Sequence, residues 1–310
     1  MKISILTAAH NEEKIIKRPL ENFKKLHRFD KNIEFLIGLD GCNDKTKEII
    51  RGYKFVKCLN MGKRNGKHKV INKLMQKARG DIIVIHDADW IFNVLNKDKL
   101  VELKNEFKDK KLGGIAEAYP IEYPAKKNTK SLGHLGSMWG NYFWIDFQKK
   151  HYTYKEGSRS YAKYSKNSFP FLVNIFRKDL YNKNTTLGDD FERGLDILNK
   201  EYKVLIVNDL NFPRMISAYK TTRFKDIARQ KERTSLARKQ VFKKYKLNIS
   251  IFNFYLPLLL HSLRNVNKIG NSKEKMAFFV WLFTFGLGTV KNKIFETKST
   301  KEGWLMRAKR

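Results

Sequence analysis

Short apolar runs alternate with mixed stretches of helical period through the first hundred residues. The runs are 3–8 (ISILTA), 34–39 (EFLIGL), 54–59 (KFVKCL) and 82–86 (IIVIH), each the length of a buried strand. Between the first two, Asn11 is placed to cap a helix running to about Lys25, with Glu12 and Glu13 in its first turn. Asn43 or Asp44 can cap the next helix. A third helix, from about Lys67 to Arg79, meets a stop signal at Gly80. This βαβαβαβ rhythm predicts a parallel sheet with helices on both faces. Ligands of such sheets bind beyond the carboxyl ends of the strands. Three of those ends carry acids: Glu12 and Glu13, Asp40, and the pair Asp87 and Asp89.

The pattern then loosens. Residues 112–118 (LGGIAEA) read as a strand and 119–132, with Pro120 and Pro124, as a loop. From 133 to 170 the chain is rich in aromatics and glycine, and no element is assigned. A helix from Asp189 to Lys200 and a strand at 203–207 follow. Residues 249–260 (ISIFNFYLPLLL) and 276–290 (MAFFVWLFTFGLGTV) are apolar on all sides. Fifteen helical residues reach roughly 22 Å, short of the ~30 Å hydrocarbon core of a bilayer. Lys243 and Lys244 precede these runs, Arg264, Lys268, Lys273 and Lys275 lie between them, and Lys291 and Lys293 follow. Two crossings would put the middle group on the outer side, where Lys and Arg are disfavoured. The pattern instead favours helices lying in one leaflet's interface. A buried helical hairpin or an oligomer interface is the competing expectation.

Charge sharpens this reading. The 310 residues hold 64 Lys and Arg against 31 Asp and Glu, a formal net charge of +33. Such an excess points to an anionic partner: nucleic acid, acidic lipid or a phosphorylated substrate. Lysines spread over solvated faces would explain part of it. Residues 220–246 alone carry eleven Lys and Arg, just before the apolar runs. Two cysteines, Cys42 and Cys58, exclude a disulfide scaffold and a four-cysteine zinc site. The opening apolar run is too short for a signal peptide, so a cytosolic location is expected.

Four short motifs carry candidate chemistry. Asp87-Ala88-Asp89 leaves a strand end as a carboxylate pair, suited to Mg²⁺ or Mn²⁺ shared with substrate phosphates. Asn60-Met61-Gly62-Lys63-Arg64-Asn65-Gly66-Lys67 is a glycine-containing basic loop that opens a helix, which favours phosphate. Its spacing is not that of a Walker loop. Leu187-Gly188-Asp189-Asp190-Phe191-Glu192 also opens a helix. Its acids either cap that helix or supply a general base. Arg229 and Arg233, four apart on one helix face, form either a charged surface or a pyrophosphate clamp.

In this order and spacing the motifs resemble the family 2 glycosyltransferases, inverting enzymes with a GT-A fold. The resemblance covers roughly residues 1–235. Ala8-Ala9-His10-Asn11-Glu12-Glu13 is similar to the family's Pro-Ala-Tyr-Asn-Glu-Glu. Leu39-Asp40-Gly41-Cys42-Asn43-Asp44 is similar to its Asp-Asp-Gly-Ser-x-Asp, with the first acid lost. Gly66-Lys67, Asn72, Ala78-Arg79-Gly80-Asp81 and Asp87-Ala88-Asp89 match its central stretch. Gly188-Asp189-Asp190-Phe191-Glu192 resembles its Glu-Asp motif, and Gln230-Lys231-Glu232-Arg233-Thr234 its Gln-x-x-Arg-Trp, with Thr234 in place of Trp.

The resemblance implies a Rossmann-like, mostly parallel sheet flanked by helices, with a catalytic domain over 1–220. Residues 221–310 would be a helical, membrane-associating extension. It implies an inverting transfer of sugar from a nucleotide-diphosphate sugar to a hydroxyl or phosphate acceptor, such as a lipid-linked glycan or a precursor of cell-surface polysaccharide. Ala9, Glu12 and Asp40 would meet the nucleoside. Lys67 and Asp87 would lie by the base, ribose or sugar. Asp89, with Asp87, would hold Mg²⁺ or Mn²⁺. Asp190, beside Asp189, would be the general base, and Gln230 and Arg233 would close over the diphosphate. The missing tryptophan argues against a processive synthase. The protein is expected as a peripheral one on the cytosolic face of an anionic membrane.

Two other classes compete. A sugar-phosphate nucleotidyltransferase needs a glycine- and arginine-rich loop after the first strand, where this chain has His10-Asn11-Glu12-Glu13. A nucleic-acid-binding protein would explain the charge, but no recognisable module of that kind is present.

Overall fold

The structure, a computed structural model, describes residues 1–116, 118, 131–183, 185–217 and 224–294; the side chains of 225, 226, 229, 232 and 288–294 lie outside it. The expected alternation is present: β1 (Ile3–Ala9), α1 (Lys17–Phe29), β2 (Glu34–Leu39), α2 (Thr46–Arg51), β3 (Val56–Asn60), α3 (Lys67–Lys77) and β4 (Ile82–Asp87). β1 pairs in parallel with β2 and with β4, and β2 with β3. The order β3-β2-β1-β4 places a reversal of winding between β1 and β4, where open α/β sheets form their ligand crevice.

The sheet is built by simple alternation. Ile3, Ile5, Phe35, Ile37, Ile82 and Val84 face one layer, with Leu20, Phe23 and Leu26 of α1. Leu6, Leu36, Ile83 and Ile85 face the other, with Val70, Ile71 and Leu74 of α3. Successive strand side chains point to opposite faces, so a strand buried on both sides is mostly apolar, and the polar exceptions are hydrogen-bonded, as Ser4 Oγ is to Glu34 Oε2 at 2.7 Å.

Beyond β4 come β5 (Trp90–Asn93), α4 (Lys97–Glu106), β6 (Leu112–Ala116), α5 (Leu132–His151), β7 (Thr153–Glu156), β8 (Arg159–Ala162), β9 (Val173–Arg177), α6 (Asp189–Asn199), β10 (Lys203–Ile206) and β11 (Arg214–Ser217). Nine of the described strands form one sheet in the order β3-β2-β1-β4-β9-β6-β10-β8-β7. β9 runs antiparallel to both β4 and β6, and β8 antiparallel to both β10 and β7. Seven of the nine strands therefore share one direction. The fold is mixed α/β with a large, mostly parallel sheet flanked by helices. β5 and β11 form a separate antiparallel pair.

Some elements depart from the pattern. The first helix starts at Lys17, not beside Asn11. Asn11 adopts a left-handed φ of 52°, and its side-chain oxygen accepts the N–H of Asn43 at 3.0 Å. Glu12 and Glu13 thus lie in a turn, where the Glu12 carbonyl accepts the N–H groups of Ile15 and Ile16. The strand expected over 112–118 ends at Ala116, and the expected loop lies outside the described residues as far as 130.

The aromatic, glycine-rich stretch contains a 20-residue helix, α5, capped by Ser131, whose Oγ accepts the His134 N–H. α7 (Phe224–Tyr245), a π-helical turn at Ile251–Tyr255, α8 (Leu256–Arg264) and α9 (Ser272–Ile294) follow. α7, α8 and α9 all pack against α5. A Cβ at Gly136 would lie 2.5 Å from the Ala277 carbonyl, and one at Gly140 2.4 Å from the Trp281 ring. Those two glycines let α9 seat directly on α5. Among the described residues, no helix is long and apolar enough to cross a membrane.

Candidate active site

Asp40 ends β2 and is completely buried. Its carboxylate accepts the N–H of Asn65 on Oδ1 at 2.6 Å and the N–H of Gly66 on Oδ2 at 2.9 Å. Its own N–H donates to the Ala9 carbonyl, and its carbonyl accepts from His10 Nδ1 at 2.6 Å. Two donors of the glycine-containing loop are therefore engaged by Asp40. The approach is close: Gly41 has φ 64°, and a Cβ there would lie 2.5 Å from the Arg64 nitrogen. Glu12 is buried beside this rim, its N–H donating to Thr46 Oγ1 at 2.7 Å.

The loop delivers Lys67 to the first turn of α3. The Lys67 ammonium lies 2.8 Å from Asp87 Oδ1, at the end of β4, and 3.4 Å from Asp189 Oδ1, at the start of α6. Three motifs far apart in sequence thus meet at one amine. Burial opposes the charge on Lys67, but Asp189, Asp87 and Asp190 outweigh it and hold its pKa above the ordinary lysine value.

The second oxygen of Asp189 accepts from Arg193 Nη1 at 2.7 Å. Arg193, itself buried, also donates from Nε to the Val173 carbonyl at 2.8 Å and from Nη2 to Asn174 Oδ1. Burial would raise the proton affinity of Asp189; Lys67 and Arg193 overcome this and hold its pKa well below the carboxylate range. Asp190 is treated differently. Desolvation and the Asp189 anion push its pKa up, against the pull of Lys67 and Arg193. Its Oδ1 accepts the Phe191 N–H at 3.0 Å. Two adjacent carboxyls are thereby driven apart in proton affinity, the arrangement by which sites divide acid and base roles. Glu192, the third acid of this turn, is fully buried and accepts from the Thr185 and Thr186 N–H groups and from Lys244 Nζ.

Asp89 stands two residues beyond Asp87, in the turn before β5. Among the described residues, no three His, Cys, Asp or Glu side chains cluster so as to enclose a metal ion. The rim instead offers one or two hard carboxylate donors. That set suits Mg²⁺ or Mn²⁺ completed by phosphate and water, and does not suit zinc.

Gln230 and Arg233 lie half-buried on α7. Farther along α7, Gln240 Oε1 accepts the Leu187 N–H at 2.9 Å, just before α6. Arg233 precedes Gln240 by two helical turns, about 10 Å, and Gln230 by about 15 Å. These two residues are thus on a helix that abuts the site, whereas Lys67, Asp87 and Asp189 are in direct contact. The Arg229 side chain lies outside the described residues. Arg193, Glu192 and Lys244 were not among the expected site residues. The spacing of Asp189 and Arg193, four apart on one helix, was the available signal for the first.

The switch point of this mostly parallel sheet, rimmed by carboxylates, Lys67 and the buried Arg193, is where open α/β proteins bind their ligands. The sequence profile of glycosyl transferase family 2 matches residues 4–169, more than half the chain, and the protein belongs to that family. It is 32% identical over 97 residues to the probable glycosyltransferase YdaM of Bacillus subtilis, covering 28% of this chain and 23% of that protein. It is 29% identical over 142 residues to the beta-monoglucosyldiacylglycerol synthase of Trichormus variabilis, covering 44% and 30%. The chain thus matches less than a third of the length of either relative. Among solved structures, a mannosyltransferase from Pyrobaculum calidifontis, in complex with GDP-Man and Mn²⁺, superposes with a TM-score of 0.59 at 14% identity. The match covers 96% of this chain and 88% of that one, a likeness of fold.

Proposed function

We propose that this protein is an inverting glycosyltransferase that moves a sugar from a nucleotide-diphosphate sugar to a hydroxyl or phosphate acceptor. The observation that carries the proposal is the junction of Lys67 with Asp87 and Asp189, beside Asp190, at the carboxyl rim of the sheet. Asp190 is the general base. Its raised proton affinity suits it to take the proton of an acceptor hydroxyl, which attacks the anomeric carbon on the face opposite the leaving diphosphate. Asp189 carries out no proton transfer in this scheme. Its oxygens face Lys67 and Arg193, and its fixed negative charge raises the basicity of Asp190.

Asp89, with Asp87, would hold Mg²⁺ or Mn²⁺, and an ion bound there would supply positive charge to the leaving diphosphate. Arg233 and Gln230 approach that diphosphate from α7. Ala9 and Glu12 border the nucleoside pocket. Asp40 shapes the same pocket by holding the 61–66 loop in place. The division into a catalytic domain over 1–220 and a helical extension over 221–310 is part of this proposal.

The acceptor is a lipid-linked glycan or a precursor of cell-surface polysaccharide, met by the protein as a peripheral one on the cytosolic face of a membrane. The relative that makes a glucosyldiacylglycerol and the neighbour that holds GDP-Man support a sugar-nucleotide donor and a lipid-borne acceptor. A nucleotidyltransferase is disfavoured by the turn after β1, where Glu12 and Glu13 stand in place of a basic phosphate loop.

The test is a screen of nucleotide sugars for acceptor-independent hydrolysis, read by mass, with Mg²⁺ or Mn²⁺ present. Consumption of one donor with release of its nucleoside diphosphate is expected. Stability of every donor under both cations would overturn the assignment.

A further inference from the structure

α9 has two unlike faces. Ala277, Phe278, Trp281 and Thr284 are buried, and Gly136 and Gly140 of α5 make room for this face. Met276, Phe279, Val280, Phe283 and Leu287 are exposed, at spacings of three and four residues that put them on a single stripe. The same holds next door. On α8, Leu256, Leu260 and Leu263 form an exposed stripe, while His261 Nε2 bonds Asp146 Oδ2 of α5 at 2.8 Å. The preceding π-helical turn presents Ile251 and Phe252, the latter 80% exposed. Its Tyr255 ring lies 6.3 Å from that of Phe285 on α9. The two stripes therefore sit on neighbouring elements, both fixed to α5. Exposed apolar stripes of this kind, on elements packed against one helix, mark an interaction site.

Charge decides the occupant. Lys243, Lys246, Arg264, Lys268 and Lys273 are exposed in the segments that flank the stripes along the chain. The nearby acids are engaged within the fold: Glu274 accepts from Trp139 Nε1 at 2.7 Å, and Asp146 faces His261 and Lys268. A second copy of the chain would bring two positive rims together, each on a molecule of formal charge +33. An anionic bilayer complements both the rim and the apolar stripes. The exposed part of α9, residues 276–287, is about 18 Å long, too short to cross the hydrocarbon core.

We propose that α8, α9 and the turn at 251–255 form a docking surface that lies in the interface of an anionic membrane, with Phe252 and Phe283 among the inserted side chains. The surface names the partner of the lipid-acceptor reading above and rests on that reading only for its purpose. The basic rim faces the headgroups, each Lys or Arg favouring binding about fivefold. The apolar stripes enter the acyl boundary.

The experiment is flotation of the full chain with phosphatidylcholine vesicles, with and without about one third phosphatidylglycerol, at physiological salt. Binding to the anionic vesicles and little to the neutral ones is expected. The double variant F252D/F283D should lose about tenfold or more of that binding while keeping its melting temperature, since both side chains are exposed. Lys268→Gln and Lys273→Gln should each weaken binding about fivefold. Equal binding to both vesicles, or unchanged binding by F252D/F283D, would overturn the proposal. So would a wild-type dimer in sedimentation that F252D/F283D dissociates, with no vesicle binding. Flotation needs no sugar transfer, so its failure would leave the transferase reading standing, and a failed donor screen would leave the docking surface standing.

Discussion

Replacing Lys67 by Met removes a cation shared by Asp87 and Asp189 while keeping most of the side-chain volume. At 3.4 Å and an effective dielectric near 20, the attraction between Lys67 and Asp189 is about 5 kcal/mol in gross terms. Asp87 is 45% exposed, so its 2.8 Å contact is worth only about 1 kcal/mol. Desolvation of the ammonium offsets much of both. Breaking a fully buried pair costs about 3–5 kcal/mol, but the Lys67 side chain is 22% exposed and Arg193 remains on Asp189, so a loss of about 2 kcal/mol is expected. For a chain of this size that lowers the melting temperature by about 3 °C.

A second readout belongs to the site alone. Lys67 lowers the proton affinity of Asp190, so its removal raises it further. A base is inactive when protonated, so the acid limb of the kcat/KM profile should move to higher pH. Lys67→Arg should restore much of that limb. An unchanged melting temperature together with an unmoved acid limb in Lys67→Met would refute the reasoning.

Other consequences follow from burial. His86 is buried with its pKa lowered to about 4 by desolvation, so it is neutral in the fold and protonated below about 6.5 when unfolded. The stability it supports is present above pH 6.5 and falls by up to about 3 kcal/mol as pH drops towards 4. Urea melts at pH 7 and pH 4 should show a shallower fall for His86→Phe, which keeps a ring against Phe23; an identical fall would contradict this. Gly140→Val should destabilise by about 1–3 kcal/mol or more, because its side chain meets Trp281, and Trp281→Ala should recover part of the loss. A wild-type melt for Gly140→Val alone would show that α5 and α9 are not held so closely.

Three strands of the parallel half, β1, β2 and β4, were legible because they are buried on both faces and so read as mostly apolar runs; the edge strand β3 is largely exposed, and its apolar run was expected two residues early. Helix caps were less so. Asn11 has the right chemistry to cap a helix, but its side chain serves the Asn43 N–H from a left-handed backbone, and the helix begins six residues later. α5 escaped recognition because Gly133, Gly136 and Gly140 lower local helix propensity. It is stabilised by close packing of α9 that no local pattern records. At the site, the acids at the strand ends were visible, since position after an apolar run is local information. That Lys67 joins Asp87 to Asp189 depends on three segments meeting in space. The burial of Asp40 against the N–H groups of Asn65 and Gly66 likewise follows from the close approach at Gly41.

The central claim is that Asp190 takes the acceptor's proton while Asp189 only tunes it. Asp190→Asn keeps the shape of the side chain and removes its basicity. Once the donor is known, transfer to acceptor and binding of nucleotide with Mn²⁺ should be measured side by side on this variant. Loss of transfer by at least about a hundredfold with nucleotide affinity intact is the predicted result. Full transfer activity in Asp190→Asn would contradict the account.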